Sequence, residues 1–258
     1  MTGDDPADGW FGERVAARYD EGRGIEYHPD EIARTVHLLA SLAGHGPVLE
    51  LAVGTGRIAA PLAARGFDVH GIELSRAMAA RIVGKPGSER IAVTIGDMTT
   101  TRVPGGFTLA YLVFNTINNV TTQEGQVTVF ANAAEHLQPG GRFVIEVGVP
   151  ALRRLPPGQD TAPFGVRPGA DGRGGYVGFD RYDVVTQEFT SNHVTVGADG
   201  RGEFRSIPFR YVWPSELDLM ARLAGMTLEH RWAGWDRAPF TADSTGHVSV
   251  WRKDVAPG

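Results

Sequence analysis

Glu50-Leu51-Ala52-Val53-Gly54-Thr55-Gly56-Arg57 is the stretch whose reading decides the fold. Apolar Val48-Leu49 leads into it, and an alanine-rich apolar segment, 58–64, follows it. That order is a buried strand, a tight glycine turn and a helix. Small residues in the turn let a ligand approach the backbone, and the helix start offers free N–H groups. The spacing Gly54-x-Gly56-x-x-Ala59 fits the dinucleotide fingerprint.

Outward from the turn, strands alternate with helices. Strands are expected at 48–51, 67–73, 91–95, 109–114 and 142–147, with helices at 58–64, 75–83 and 127–137. Such β-α-β alternation implies a mainly parallel sheet with right-handed crossovers. Upstream, a helical stretch covers 10–20. A second helix opens at His28-Pro29-Asp30-Glu31, with proline and acids in its first turn. Between 150 and 212 the pattern changes. Pro156, Pro157, Pro163 and Pro168 mark a long loop. Short strands are then expected at 176–182, 184–189, 193–196 and 204–211, with Ala198-Asp199-Gly200 as a hairpin turn. A helix at 216–224 and strands at 227–232 and 247–252 complete the chain. The expected organisation is one domain, 1–258. It divides into a flexible tail at 1–8, a helical segment at 9–44, a core at 45–149, an antiparallel insertion at 150–212 and the end of the core sheet at 213–252.

Composition narrows the function classes. The 258 residues are 42 % hydrophobic and 21 % charged, with a net charge of −5 and no cysteine. The missing cysteines exclude disulfides, thiolate metal sites and a cysteine nucleophile. Basic residues are scattered, whereas nucleic-acid binding needs a basic face, so a small-molecule partner is expected. No apolar run approaches the roughly 20 residues that span a bilayer. The N-terminus lacks a signal-peptide pattern. No membrane partner, no metal and a cytoplasmic location are expected.

The strand ends supply the candidate binding residues. Glu73 ends the second strand, where a carboxylate accepts both ribose hydroxyl protons; Leu74 adjoins it. Asp97 follows the third strand and suits an adenine amino group, with Met98 covering the ring. Phe114 ends the fourth strand. Glu50, Ala52, Gly54, Gly56 and Arg57 of the first turn complete this set. The turn alone does not separate a nicotinamide dinucleotide from S-adenosylmethionine.

Taken together, Glu50-x-Ala52-x-Gly54-x-Gly56, Glu73, Gly96-Asp97-Met98 and Leu137-Gln138-Pro139-Gly140-Gly141 resemble class I S-adenosylmethionine-dependent methyltransferases, over about 10–252. Ala52 departs from the glycine frequent there. A dehydrogenase reading gives no account of 137–141 or of the antiparallel ending. The resemblance implies an α/β, Rossmann-like fold. Its mainly parallel sheet would have seven strands, with an antiparallel last strand, an N-terminal helical lid and the β insertion. It also implies S-adenosylmethionine as cofactor. Arg18-Tyr19-Asp20 and Glu26-Tyr27 resemble the lid of small-molecule methyltransferases, macrolide amino-sugar N-methyltransferases among them. In such lids a tyrosine approaches the methionine end of the cofactor, which makes Tyr19 the lid candidate, ahead of Tyr27.

The expected activity is methyl transfer to N or O of a small acceptor, a secondary metabolite. The alternatives are a non-methylating S-adenosylmethionine-binding protein of this fold or, ranked lower, a nicotinamide oxidoreductase. Asn119 stands where some amino-sugar enzymes carry histidine. It is no base at neutral pH, so its expected role is to orient the nucleophile. Glu146 and His247 are the base candidates if an oxygen is methylated. Tyr176, Phe179, Tyr182, Trp213 and Trp235 are candidates for the acceptor pocket wall. The insertion is expected either to cover that pocket or to pair two subunits as a homodimer.

Overall fold

A computed structural model describes residues 6–22, 24–169 and 172–255. Residues 1–5 of the expected tail lie outside the described residues. The strands are β1 (Val48–Leu51), β2 (Val69–Glu73), β3 (Ile91–Ile95), β4 (Phe107–Leu112), β5 (Leu137–Gly148), β6 (Thr161–Pro168), β7 (Gly175–Tyr182), β8 (Glu188–Val196), β9 (Gly202–Arg210), β10 (Met226–Trp232) and β11 (Gly246–Lys253). The helices are α1 (Glu13–Ala16), α2 (Pro29–Ala43), α3 (Ala59–Ala63), α4 (Arg76–Ala80), α5 (Gln123–His136) and α6 (Pro214–Leu223).

The main sheet has the order β3-β2-β1-β4-β5-β11-β10. Only β11 runs against the rest, pairing antiparallel with both β5 and β10. This is the Rossmann-like sheet with one reversed strand. Its strands are apolar along most of their length because helices cover both faces. On one face, Phe130 of α5 meets Phe143 and Trp251 edge-on, with centroids 5.1 and 5.3 Å apart. On the other, Val36 and Leu39 of α2 and Leu62 of α3 pack over Val48, Leu109 and Val250.

The second sheet is antiparallel, in the order β6-β7-β8-β9. Two strands differ from expectation. β6 forms where the prolines suggest a loop. It is an edge strand, and there Pro163 and Pro168 are tolerated because the missing N–H can face solvent. Pro208 sits in the other edge strand, β9. The expected strand at 184–189 is instead a turn followed by the start of one continuous β8. Asp183 accepts from the Val185 N–H at 2.8 Å, and Gln187 has φ 62°. That local side-chain bond outcompetes the strand preference of Val184-Val185.

The amino-terminal region also differs. The expected helix at 10–20 breaks into α1 and a 3-10 turn, Tyr19–Glu21. Asp8 is buried rather than part of a free tail, and accepts from the Arg76 N–H at 2.6 Å on the first turn of α4.

The second sheet is anchored to the core by a buried charge network. Arg210, at the end of β9, donates to Glu216 of α6 at 2.7 Å and to the Gln187 side chain at 3.2 Å. Gln126 of α5 returns a bond to the Arg210 carbonyl at 3.2 Å. The Arg210 side chain is only 4 % exposed. Removing one partner of such a pair leaves an uncompensated buried charge. Glu216→Ala is expected to lower the unfolding free energy by about 3–5 kcal/mol. The double change Arg210→Met with Glu216→Leu is expected to recover most of it, as read by urea denaturation.

Candidate functional site

A cavity of about 830 Å³ opens at the carboxyl ends of β1 to β5, underneath the second sheet. Its first half is built by turns. After β1, Ala52, Gly54 and Gly56 take φ of 55°, 59° and 76° and swing the chain toward α3. Ala52 does so with a side chain, at a cost of about 1 kcal/mol. Glu73, 6 % exposed, accepts from the Gly54 N–H at 2.7 Å and the Ser75 N–H at 2.9 Å. Burial pushes its carboxyl above the ordinary range, opposed by those backbone bonds. Asp97 accepts from the Thr99 N–H and hydroxyl, both at 2.7 Å. Asn132 holds the Met98 carbonyl at 2.6 Å.

After β4, Phe114 and Asn115 are successive left-handed residues, with φ 58° and 57°. The Glu146 carboxylate accepts from the Phe114 N–H at 2.9 Å, and its carbonyl from the Asn115 N–H at 3.2 Å. Asn115 in turn accepts from the Gly148 N–H at 2.6 Å. Two unfavourable conformations are thereby fixed at the cavity edge.

The N-terminal segment closes this half. Phe11, Tyr19, Tyr27 and Phe114 form a chain of edge-to-face contacts, at 6.3, 5.9 and 6.0 Å. Arg57 lies over the rings of Tyr27 and Phe114, at 5.2 and 5.4 Å, and donates to the Glu26 carbonyl. Lys85 bridges Asp20 at 2.6 Å and the Thr55 carbonyl at 2.7 Å. Burial raises the Tyr19 hydroxyl well above its usual pKa, so it stays protonated.

The other half lies against the second sheet, which contributes Asp180, Tyr182, Phe189, Ile207 and Phe209, with Tyr211 just beyond β9. Tyr182 stacks on Phe189 at 5.4 Å, and Phe189 on Phe209 at 5.1 Å.

Of the residues singled out in the sequence, Tyr19, Ala52, Gly54, Glu73, Leu74, Asp97, Met98, Phe114 and Asn119 line the cavity. Glu50, Gly56 and Arg57 are not in its wall. Glu50 is buried beneath the turn, accepts from the Tyr111 hydroxyl at 2.7 Å, and burial pushes its pKa up to about 8. Neither base candidate reaches the cavity wall. Glu146 is spent on the turn after β4, and His247 is buried in β11 beside Ser249, at 2.8 Å. Among the aromatic candidates only Tyr182 lines the cavity. Phe179 is on the opposite face of β7, Trp235 is in the core, and Tyr176 lines a separate 230 Å³ pocket. The sequence reading missed Phe11, Asn118 and Asp180. Asn118 was next to a chosen residue, and its buried side-chain oxygen has no partner. Among the described residues no group of metal-ligating side chains is present, and no helix is long and apolar enough to cross a membrane.

The reversed strand and the turns at the strand ends define a methyltransferase-type α/β domain. A family model described as "Methyltransferase domain" matches residues 48–141. The solved CcbJ methyltransferase from Streptomyces caelestis is 31 % identical, with a TM-score of 0.84, over 97 % of this chain and 100 % of that one. The S-adenosylmethionine-bound CalS10, an amino pentose methyltransferase from Micromonospora echinaspora, shares the fold at 21 % identity and a TM-score of 0.65, covering 95 % and 98 % of the two chains. YqeM, a putative methyltransferase of Bacillus subtilis, is 31 % identical over 134 residues; the match spans 51 % of this chain and about half, 53 %, of that protein. The chain belongs to the S-adenosylmethionine-dependent methyltransferases.

His247 bears on stability. Burial, aided by the Arg231 charge, depresses its pKa from 6.5 to about 4. The folded state therefore binds fewer protons than the unfolded one between those values. The contribution is complete above about pH 6.5 and is lost as pH falls toward 4, worth about 3 kcal/mol in all. His70, His136 and His193 are shifted the same way, also by burial. Urea midpoints measured from pH 7 to 4 are expected to fall, and His247→Gln to flatten that fall.

Proposed function

We propose that the protein transfers the methyl group of S-adenosylmethionine to a nitrogen of a small molecule lying between the strand ends and the second sheet. The carrying observation is the charge of the cavity wall. It holds the carboxylates of Glu73, Asp97 and Asp180, and among the described residues no lysine, arginine or histidine. A wall of that sign favours a cationic cofactor and a neutral or cationic acceptor, and opposes an anionic one.

The residues of the first half suit the cofactor. Glu73 keeps lone pairs for the ribose hydroxyls, Asp97 for the adenine amino group, and Met98 and Leu74 are apolar flanks. Gly54 presents an open face, since a Cβ there would meet only the Met78 methyl at 3.5 Å. Phe11 and Tyr19 shut water out. The bound cofactor supplies a methyl carbon on a positively charged sulfur, which departs with the electron pair of the C–S bond. An amine attacks with its own lone pair and needs alignment more than a base. Asn119 donates to the Thr116 carbonyl at 3.2 Å, and its side-chain oxygen is then oriented to accept from the acceptor. Of the two roles expected for 150–212, the wall residues from β7 to β9 favour the cover.

Two measurements test this reading. S-adenosylhomocysteine at about 100 times its Kd is expected to stabilise the fold by about 2.7 kcal/mol in thermal unfolding, and NAD not at all. Protection by NAD alone would overturn the cofactor assignment. Glu73→Gln is expected to weaken S-adenosylhomocysteine binding by about 1.5–3 kcal/mol, the worth of a hydrogen bond to a charged group. Unchanged affinity by calorimetry would remove Glu73 from the site.

A further inference from the structure

The inner face of the second sheet is ordered in rungs. Tyr182, Phe189 and Phe209 form one rung across β7, β8 and β9. The next rung along the same face is Asp180, Ser191 and Ile207. A single carboxylate therefore stands beside a platform of three stacked aromatic rings, inside the cavity.

That carboxylate is short of donors. One oxygen of Asp180 accepts a long bond, 3.3 Å, from the Tyr182 hydroxyl, and the Ser191 hydroxyl is the other donor beside the carboxylate. The second oxygen is buried and has no hydrogen-bond partner. An ionised carboxylate has about four acceptor positions, and leaving them unfilled in a low-dielectric wall is costly. Among the described residues, Asp180 makes no salt bridge. The groups that face it are Ser191, Tyr182, His193 and Arg154. His193 bonds the Tyr176 hydroxyl at 2.8 Å, and one Arg154 nitrogen donates to the Pro163 carbonyl at 3.1 Å; neither makes a salt bridge to Asp180. Glu73 and Asp97 each hold backbone N–H donors at 2.7–2.9 Å; Asp180 has only the Tyr182 hydroxyl, at 3.3 Å, and the Ser191 hydroxyl beside it.

We propose that Asp180 and the adjoining Tyr182–Phe189–Phe209 platform form the specificity site for the acceptor, selecting molecules that carry a basic, protonated nitrogen in addition to the neutral nitrogen that takes the methyl group. The ammonium supplies the donors the carboxylate lacks, and aromatic faces attract cations. A neutral hydroxyl supplies one donor and no charge. An anion meets a like charge. Selection of this kind is separate from cofactor binding, although it rests on the acceptor occupying the half of the cavity under the second sheet.

The test uses the full chain saturated with S-adenosylhomocysteine, so that Glu73 and Asp97 are covered. Benzylammonium, benzyl alcohol and phenylacetate are titrated as probes of similar size, followed by ligand-observed NMR. Benzylammonium is expected to bind at least about tenfold more tightly than benzyl alcohol, with phenylacetate the weakest. Asp180→Asn is expected to abolish the preference for the cation while S-adenosylhomocysteine affinity stays the same; Asp180→Glu is expected to retain it. Equal binding of benzylammonium and benzyl alcohol to the native protein overturns the proposal. So does a cation preference that survives Asp180→Asn. Should Asp180→Asn not fold, the native comparison of the three probes still decides. Failure of S-adenosylhomocysteine itself to bind would instead strike the cofactor reading, and is seen separately in the same titration.

Discussion

The Glu73 carboxylate ties together the segments on which the cavity depends. One oxygen takes the Gly54 N–H from the turn after β1, and the other takes the Ser75 N–H at the start of α4. The Ser75 hydroxyl then donates to the Phe11 carbonyl at 2.8 Å, which carries the tie into the N-terminal segment. A buried carboxylate is expensive, and the backbone donors aimed at it offset that expense. The turn after β1, the tip of β2 and the N-terminal segment are in this way tied by one side chain. The geometry of that half of the cavity follows from it.

The two closures of the cavity are held by different physics. The N-terminal segment combines exposed or half-exposed ion pairs, such as Arg14 with Glu203 and Lys85 with Asp20, which salt screens, with its aromatic contacts and the buried Asp8 on α4. The second sheet is held by Arg210 and its partners, nearly out of water.

Much of this architecture is legible in the sequence. The strand–glycine turn–helix at 48–64 and the third strand at 91–95 stand where periodicity and turn residues place them. β6 was hidden because proline argues against a strand unless the strand is known to be an edge, and that is a property of the sheet. Val184 and Val185 read as strand formers but are exposed in a turn decided by Asp183. The polar candidates were harder. Glu146 and His247 sit on strands next to the site, yet which atoms they meet depends on neighbouring strands. Glu146 meets the Phe114 N–H beyond the end of β4, and His247, bonded to Ser249 of its own strand, lies near Arg231 of β10. Asp180 was missed for a related reason, since its place beside the aromatic rung of the cavity face comes from cross-strand register and leaves no trace in local pattern.

The prolines of the second sheet have a consequence for how the molecule keeps to itself. A four-stranded sheet with free borders is a template on which another extended chain can add. Here one border carries Pro163 and Pro168 and the other Pro208. Each removes a donor that an incoming strand would need, and β6 is further irregular between Pro163 and Gly165. Growth by strand addition is thus discouraged on both sides. The sheet can remain a small roof over a single cavity instead of seeding a continuous sheet from one molecule to the next.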